Sequence, residues 1–329
     1  MKFLRLLGVV VLLVALAGGY AIFRLSRPYQ GFSGAALVEF PRGTSANVIA
    51  SQLARAGVVP SSWDFLLARM VNRGRILQAG EYRFDTAASP LDVFDRIARG
   101  DVFYYELVVP EGKNMFDIGA AIEAMGLFPA RDFLAAARNP DLIRDLDPRA
   151  PSLEGYLFPS SYRLSRSTTP EQLCRMMTGK FREVWSNLHT TEDLHRTVAL
   201  ASLVEKEGKL ATERAQIAAV FENRLRIGMK LDCDPTTIYA ALLDHHYRGA
   251  IYKSDLASIS PYNTYRHPGL PPGPIANPGR ASLEAVLNPA ESKALYFVRR
   301  PDDSGAHEFS TTIAAHQAAT ARYRRGLKR

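Results

Sequence analysis

The sequence predicts an α+β protein with an N-terminal transmembrane helix and a mainly helical C-terminal half carrying small β elements. Three observations carry that expectation. An uncharged apolar run opens the chain, a strand–helix pattern occurs twice before residue 150, and long helical periods follow. At 329 residues, 47% hydrophobic and 22% charged, the chain has material for about two domains and is too apolar for wholesale disorder. The expected organisation is a cytoplasmic tip over 1–5, a membrane span over 6–23, a linker over 24–35, a repeated α+β region over 36–149 and a further domain over 150–329.

Lys2 and Arg5 precede the run 6–23, and Arg24 and Arg27 follow it. At about 1.5 Å per residue this run spans roughly 27 Å, enough to cross a hydrocarbon core. The alternative is a cleaved signal peptide, with Ala15-Leu16-Ala17 as its cleavage signal. A retained anchor is preferred because apolar residues continue through Tyr20, Ala21, Ile22 and Phe23. No Cys lies nearby, which excludes a lipoprotein anchor. The basic tip is expected to stay cytoplasmic, with the bulk of the chain outside the cytoplasmic membrane.

The chain carries 41 Lys+Arg against 33 Asp+Glu, a net charge of +8, which suits an anionic neighbour. Nucleic acid is not expected in that compartment, and the sequence lacks zinc-finger spacing and aromatic–basic ribonucleoprotein runs. The basic tail (Arg322, Arg324, Arg325, Lys328, Arg329) reads as a solvated helix end. Whether the only two cysteines, Cys174 and Cys233, pair is left open by the sequence.

Val38-Glu39-Phe40-Pro41-Arg42-Gly43 and Val108-Val109-Pro110-Glu111-Gly112 are two copies of one pattern, about 70 residues apart. Each β-rich segment ends in Pro-x-Gly and leads into a helical period. Those helices are expected to stop at Gly57 and Gly126. Pro60 and Pro129 then precede Asp64-Phe65-Leu66 and Asp132-Phe133-Leu134. A strand over 81–84 and a helix over 90–98 lie between the copies. No catalytic cluster stands out in this region.

After residue 150 the expected elements are helices over 170–187, 191–207 and 212–227, a Pro/Gly-rich loop over 260–279, a helix over 282–287, a strand over 294–298 and a terminal helix. In the second of these helices, Leu194, Val198 and Ala201 form an apolar stripe, and four residues further comes Glu205. Glu207 lies about 200° away around the helix. An unpaired carboxyl on an apolar stripe should hold its proton near neutral pH, the condition for a general acid. The other reading is a buried Glu paired with Arg214 or Arg224. The loop string Ser260-Pro261-Tyr262-Asn263-Thr264-Tyr265 suits sugars, with aromatic faces for rings and an amide for hydroxyl and acetamido groups. A purely structural Tyr/Asn turn fits its composition as well.

Several strings together resemble the YceG/MltG family of membrane-anchored endolytic murein transglycosylases. They are Ser152-Leu153-Glu154-Gly155-Tyr156-Leu157-Phe158-Pro159, Ala201-Ser202-Leu203-Val204-Glu205-Lys206-Glu207, the segment 221–229, Asp234-Pro235-Thr236, the segment 260–265 and the segment 269–274. The resemblance implies a LysM-like part near the membrane, a lysozyme-like catalytic domain, and Glu205 as the single catalytic acid. Positions 160, 232 and 233 depart from the family's strings. The implied reaction cleaves the bond from N-acetylmuramic acid to N-acetylglucosamine, leaves a 1,6-anhydro end, and needs one carboxyl rather than two. Substrate contacts are expected from Asn263, Tyr262, Tyr265, Glu154, Glu207 and Arg224. No cofactor and no metal are expected. The expected partners are peptidoglycan strands, the membrane and peptidoglycan synthases, with termination of nascent strands as the role.

Rival classes lack their marks. Ser-x-x-Lys, Lys-Thr-Gly, Gly-x-Ser-x-Gly and His-Glu-x-x-His are all missing. The strongest non-enzyme alternative is an anchored glycan-binding scaffold for cell-wall enzymes.

Overall fold

The computed structural model describes residues 2–302 and 304–326, with the side chains of 2–6 excepted. Met1 of the tip and Lys328 and Arg329 of the basic tail lie outside the described residues. The fold is mixed α+β, mostly helical, with small two-stranded sheets. It divides into two compact units. The first holds the chain through Tyr105 together with Ser165–Ser167; the second holds Glu106–Leu164 and the chain from Thr168 onward. The sequence reading set its boundary near 150; packing sets one at 105.

In the first unit, helix α1 (Lys2–Ser26) leads to strand β1 (Ala36–Phe40), helices α2 (Ala46–Arg55) and α3 (Ser62–Val71), strand β2 (Gly80–Phe84) and helix α4 (Pro90–Arg99). α1 contains an apolar stretch, Leu7–Ser26, of mean hydropathy 2.1, long enough to cross a membrane and exposed up to its last turn. β1 and β2 pair antiparallel, with Val38 opposite Tyr82. Their inward residues alternate, and Phe40, Tyr82 and Phe84 meet Leu53, Phe65 and Phe94 in one core. Ser89 and Asp92 close a capping box around the start of α4.

The stretch read as a polar linker begins inside α1, which runs to Ser26: Leu25 is buried in the core and Arg24 bonds Asp64 at 2.8 Å, while most of 26–35 is exposed. Tyr29 then pairs with Ala88. Composition misled here because the arginine that made the stretch polar has a carboxylate to meet.

The second unit opens with a like succession. Strand β3 (Tyr105–Val108) leads to helices α5 (Met115–Ala124) and α6 (Ala130–Arg138), and strand β4 (Ser161–Leu164) pairs with β3. The sequence repeat is therefore strand–helix–helix–strand in both units, although β4 was not foreseen. Gly57 and Gly126, with φ of +70° and +68°, stand just past the ends of α2 and α5, where a left-handed residue lets the chain turn away.

Helices α7 (Pro170–Ser186), α8 (Leu194–Glu207), α9 (Arg214–Arg226), α10 (Asp234–Leu243) and the short α11 (Lys253–Leu256) follow. The loop 257–279 carries neither helix nor strand. Helix α12 (Arg280–Leu287), strands β5 (Tyr296–Arg299) and β6 (His307–Ser310) and helix α13 (Ile313–Gly326) complete the unit. α8 packs against α9, α10 and α12. Asp193 caps it by accepting from Arg196 N. Its burial is broader than one stripe: Ala199, Leu200, Leu203 and Val204 are inside along with Val198 and Ala201. A helix whose middle is apolar all round belongs in a core; its first turn meets Glu222 and Asp147 through Arg196 and His195, and its last turn carries Glu205. Cys174 and Cys233 are both buried and unpaired.

Candidate active site around Glu205

Glu205 lies in the last turn of α8, and its side chain is 5% exposed. Both carboxyl oxygens are engaged. Oε1 accepts from Arg214 Nη2 at 2.9 Å. Oε2 accepts from Gly279 N at 3.0 Å and from Ser282 Oγ at 2.8 Å. The carboxyl thus sits over the N-terminus of α12, whose free N–H groups face it. The expectation of an unpaired carboxyl is overturned: α9 begins beside the end of α8 and brings Arg214 to it. Arg214 is steadied by its Nε, which donates to Gly208 O at 3.3 Å.

A second carboxylate shares that arginine. Glu111, in the turn after β3, brings Oε2 to 3.5 Å from the same Nη2. Its side chain lies across Gly279 so closely that a Cβ there would come within 1.8 Å of Glu111 Oε1. The Pro-x-Gly repeat carried Glu111 in plain view, but nothing in its spacing showed it meeting Arg214, 103 positions away. Gly279 and Ser282 were likewise missed.

Glu154 occupies a separate, fully enclosed place. Its Oε2 accepts from Met115 N at 2.9 Å and its Oε1 from Asn277 Nδ2 at 2.8 Å. Burial pushes its pKa up to about 8, against the pull of the Met115 and Tyr239 hydrogen bonds. Asn277 is the hub. Its Oδ1 accepts from Gly155 N and Leu157 N, and its Nδ2 also donates to Lys113 O. Three segments are thereby tied together: the turn holding Glu111, the turn holding Glu154, and the strand-like approach to Gly279. Glu154 therefore supports the floor on which Glu111 and Gly279 rest.

Glu207 points elsewhere, as the helical angle requires. It accepts from Cys233 Sγ at 3.4 Å, and burial raises its pKa. Cys233, raised by its own burial, remains a thiol there. Arg224 is occupied by carbonyls: Nε donates to Leu295 O at 2.6 Å and Nη1 to Leu231 O at 2.9 Å. Asn263 is buried and turned inward. It donates to Leu256 O and Ser258 O, and accepts from Tyr265 N. Its amide staples the loop, and no part of it faces solvent. Tyr265 donates to Asp234 Oδ1 at 2.6 Å. Tyr262 is half-buried against Tyr239, ring centres 5.1 Å apart, and burial lifts its hydroxyl to about 12. Of the residues expected together, only Glu205 reaches the Arg214 cluster.

Known proteins share this arrangement of sequence and fold. The model of the YceG-like family matches residues 38–322. The chain belongs to the YceG-like family. A Bacillus subtilis relative named endolytic murein transglycosylase is 31% identical over 307 residues, covering 87% of this chain and 84% of its own. One from Streptococcus pneumoniae with the same name is 29% identical over 294 residues, covering 79% of this chain; the match spans about half of that longer protein, 53%. A crystal structure of a YceG-like protein from Listeria monocytogenes superposes with a TM-score of 0.54 at 29% identity, covering 86% of this chain and 98% of its own.

Proposed function

We propose that this protein is a membrane-anchored endolytic lytic transglycosylase of peptidoglycan, with Glu205 as both its acid and its base. In this reading α1 is a retained anchor, the first unit is a LysM-like module, and the second is the lysozyme-like catalytic domain on the extracytoplasmic side. The observation that carries the reading is the setting of Glu205: a nearly enclosed carboxyl whose Oε2 meets the rotatable hydroxyl of Ser282. A serine hydroxyl donates to a carboxylate and accepts from a carboxylic acid, so it suits either protonation state. Kinship with proteins named endolytic murein transglycosylase supports the same reading.

The chemistry follows from one carboxyl. Protonated Glu205 gives its proton to the glycosidic oxygen as the bond from muramic C1 breaks. The muramic C6 hydroxyl then closes on C1, and its proton passes to the Glu205 carboxylate. A 1,6-anhydro ring forms, no water is consumed, and Glu205 ends as it began. Two-carboxylate glycosidases need a second group for nucleophile or water, and here the substrate supplies it. Tyr262 is the loop residue placed to meet a sugar. Asn263 and Tyr265 hold that loop in shape, and Glu154, Glu207 and Arg224 act as buried supports away from the Arg214 cluster. The role is termination of nascent glycan strands beside peptidoglycan synthases.

The test is a digest of purified peptidoglycan by the full chain in detergent, run in ¹⁸O-labelled water and read by mass spectrometry. Anhydro-ended fragments free of the label are expected. Labelled reducing ends would mean hydrolysis. Bound but uncut glycan would mean a scaffold.

A further inference from the structure

We propose that Glu111 is a positioning residue for this reaction: it takes the Arg214 guanidinium whenever Glu205 carries its proton, and so frees Glu205 Oε1 for the glycosidic oxygen. The proposal rests on the transglycosylase reading above.

The geometry supplies the exchange. One nitrogen, Arg214 Nη2, stands 2.9 Å from Glu205 Oε1 and 3.5 Å from Glu111 Oε2. The guanidinium is held through Nε to Gly208 O, so a small rotation about that bond moves Nη2 from one carboxylate to the other. Exposure of the three side chains is ordered: 47% for Glu111, 12% for Arg214 and 5% for Glu205. Arg214 already occupies Oε1, so a sugar oxygen is bonded there only when Arg214 has been drawn off it. Glu111 is the outward acceptor.

The charge arithmetic agrees. Arg214 has two carboxylates within reach, so it keeps an ion-pair partner in Glu111 when it leaves Glu205. Several other charged groups on the elements around Glu205 have partners of their own, Lys206 beside Glu111 itself. Lys206 donates to Gly112 O, and Lys113 pairs with Asp117. Arg280 pairs with Glu284 on α12, Glu213 binds His307, and Asp234 of α10 binds Tyr265. The repeat offers a comparison within the chain. The first copy has Arg42 where the second has Glu111, so this carboxylate is not a requirement of the Pro-x-Gly turn.

The experiment compares full-chain parent, Glu111→Gln and Glu111→Asp on isolated glycan strands, with rate followed across the neutral range. Glu111→Gln is expected to lower kcat about tenfold at neutral pH with KM unchanged, and to move the alkaline limb of the profile toward lower pH by about one unit. Glu111→Asp keeps the charge and should keep the limb in place. In an Arg214→Gln background, the Glu111 substitution should add nothing. A uniform loss at every pH in both Glu111 variants would make the residue structural and overturn the proposal. A rise in KM alone would make it a glycan contact and also overturn it. An unstable Glu111→Gln leaves the decision to Glu111→Asp and the double variant. If the parent itself cuts nothing, the transglycosylase reading falls first; if the parent cuts and the profile of Glu111→Gln is unmoved, only this proposal falls.

Discussion

Glu205 has two oxygens and three donors on them, and that crowding sets what its neighbours must do. In the proposed reaction a proton on Oε2 turns Ser282 from donor to acceptor, and one on Oε1 displaces Arg214. Neither event was legible from helical periodicity, which correctly placed Glu205 among inward positions but could not show what approached from outside the helix. Sequence reasoning had named Arg214 or Arg224 as the competing explanation; Arg214 is the one that bonds Glu205. Glu154 yields a prediction of its own. Its pKa in the fold is about 8, above its ordinary value near 4.5, so the folded chain holds this proton where the unfolded chain has released it. Its contribution to stability is therefore complete below the ordinary value and is lost as pH rises toward 8. In urea titrations, the parent should lose stability relative to Glu154→Gln as pH climbs through that window. A difference that stays flat with pH would contradict the neutral buried carboxyl.

At the level of elements, helix α8 is the rail and α12 the stop. α8 is buried all round from Thr197 to Val204, so Glu205 cannot swing away without moving the core of the second unit. α12 meets it end-on through Gly279 and Ser282, and the tight contact of Glu111 on Gly279 leaves no room for a side chain there. The long helices and the structureless loop were readable from apolar period and from Pro and Gly. Strands β4 and β6 were not, because four-residue strands are too short for alternation to stand out. Helix α1 is the element whose role differs most from its sequence. Its last turn belongs to the core of the first unit through Leu25 and through the Arg24–Asp64 pair. Leu25→Ala should cost that unit about 2–5 kcal/mol. The check is thermal unfolding of the full chain in detergent, where the transition of the first unit should fall while that of the second stays. Equal stability in parent and variant would show that the helix end is only a tether.

For the whole molecule, two strand–helix–helix–strand successions have been put to different uses. The first closes over the end of an apolar helix. The second supplies, from its opening turn, the carboxylate that faces Arg214. The repeat was visible in the sequence, yet its meaning was not, since that depends on residues 103 to 168 positions away along the chain. The central claim is that one carboxyl, Glu205, carries the proton in both directions. The most direct test is a digest of peptidoglycan strands by the full chain and by Glu205→Gln, with melting measured to show both are folded. The account predicts anhydro-ended fragments from the parent and none from the folded Glu205→Gln protein. Anhydro ends produced at a comparable rate by Glu205→Gln would contradict it.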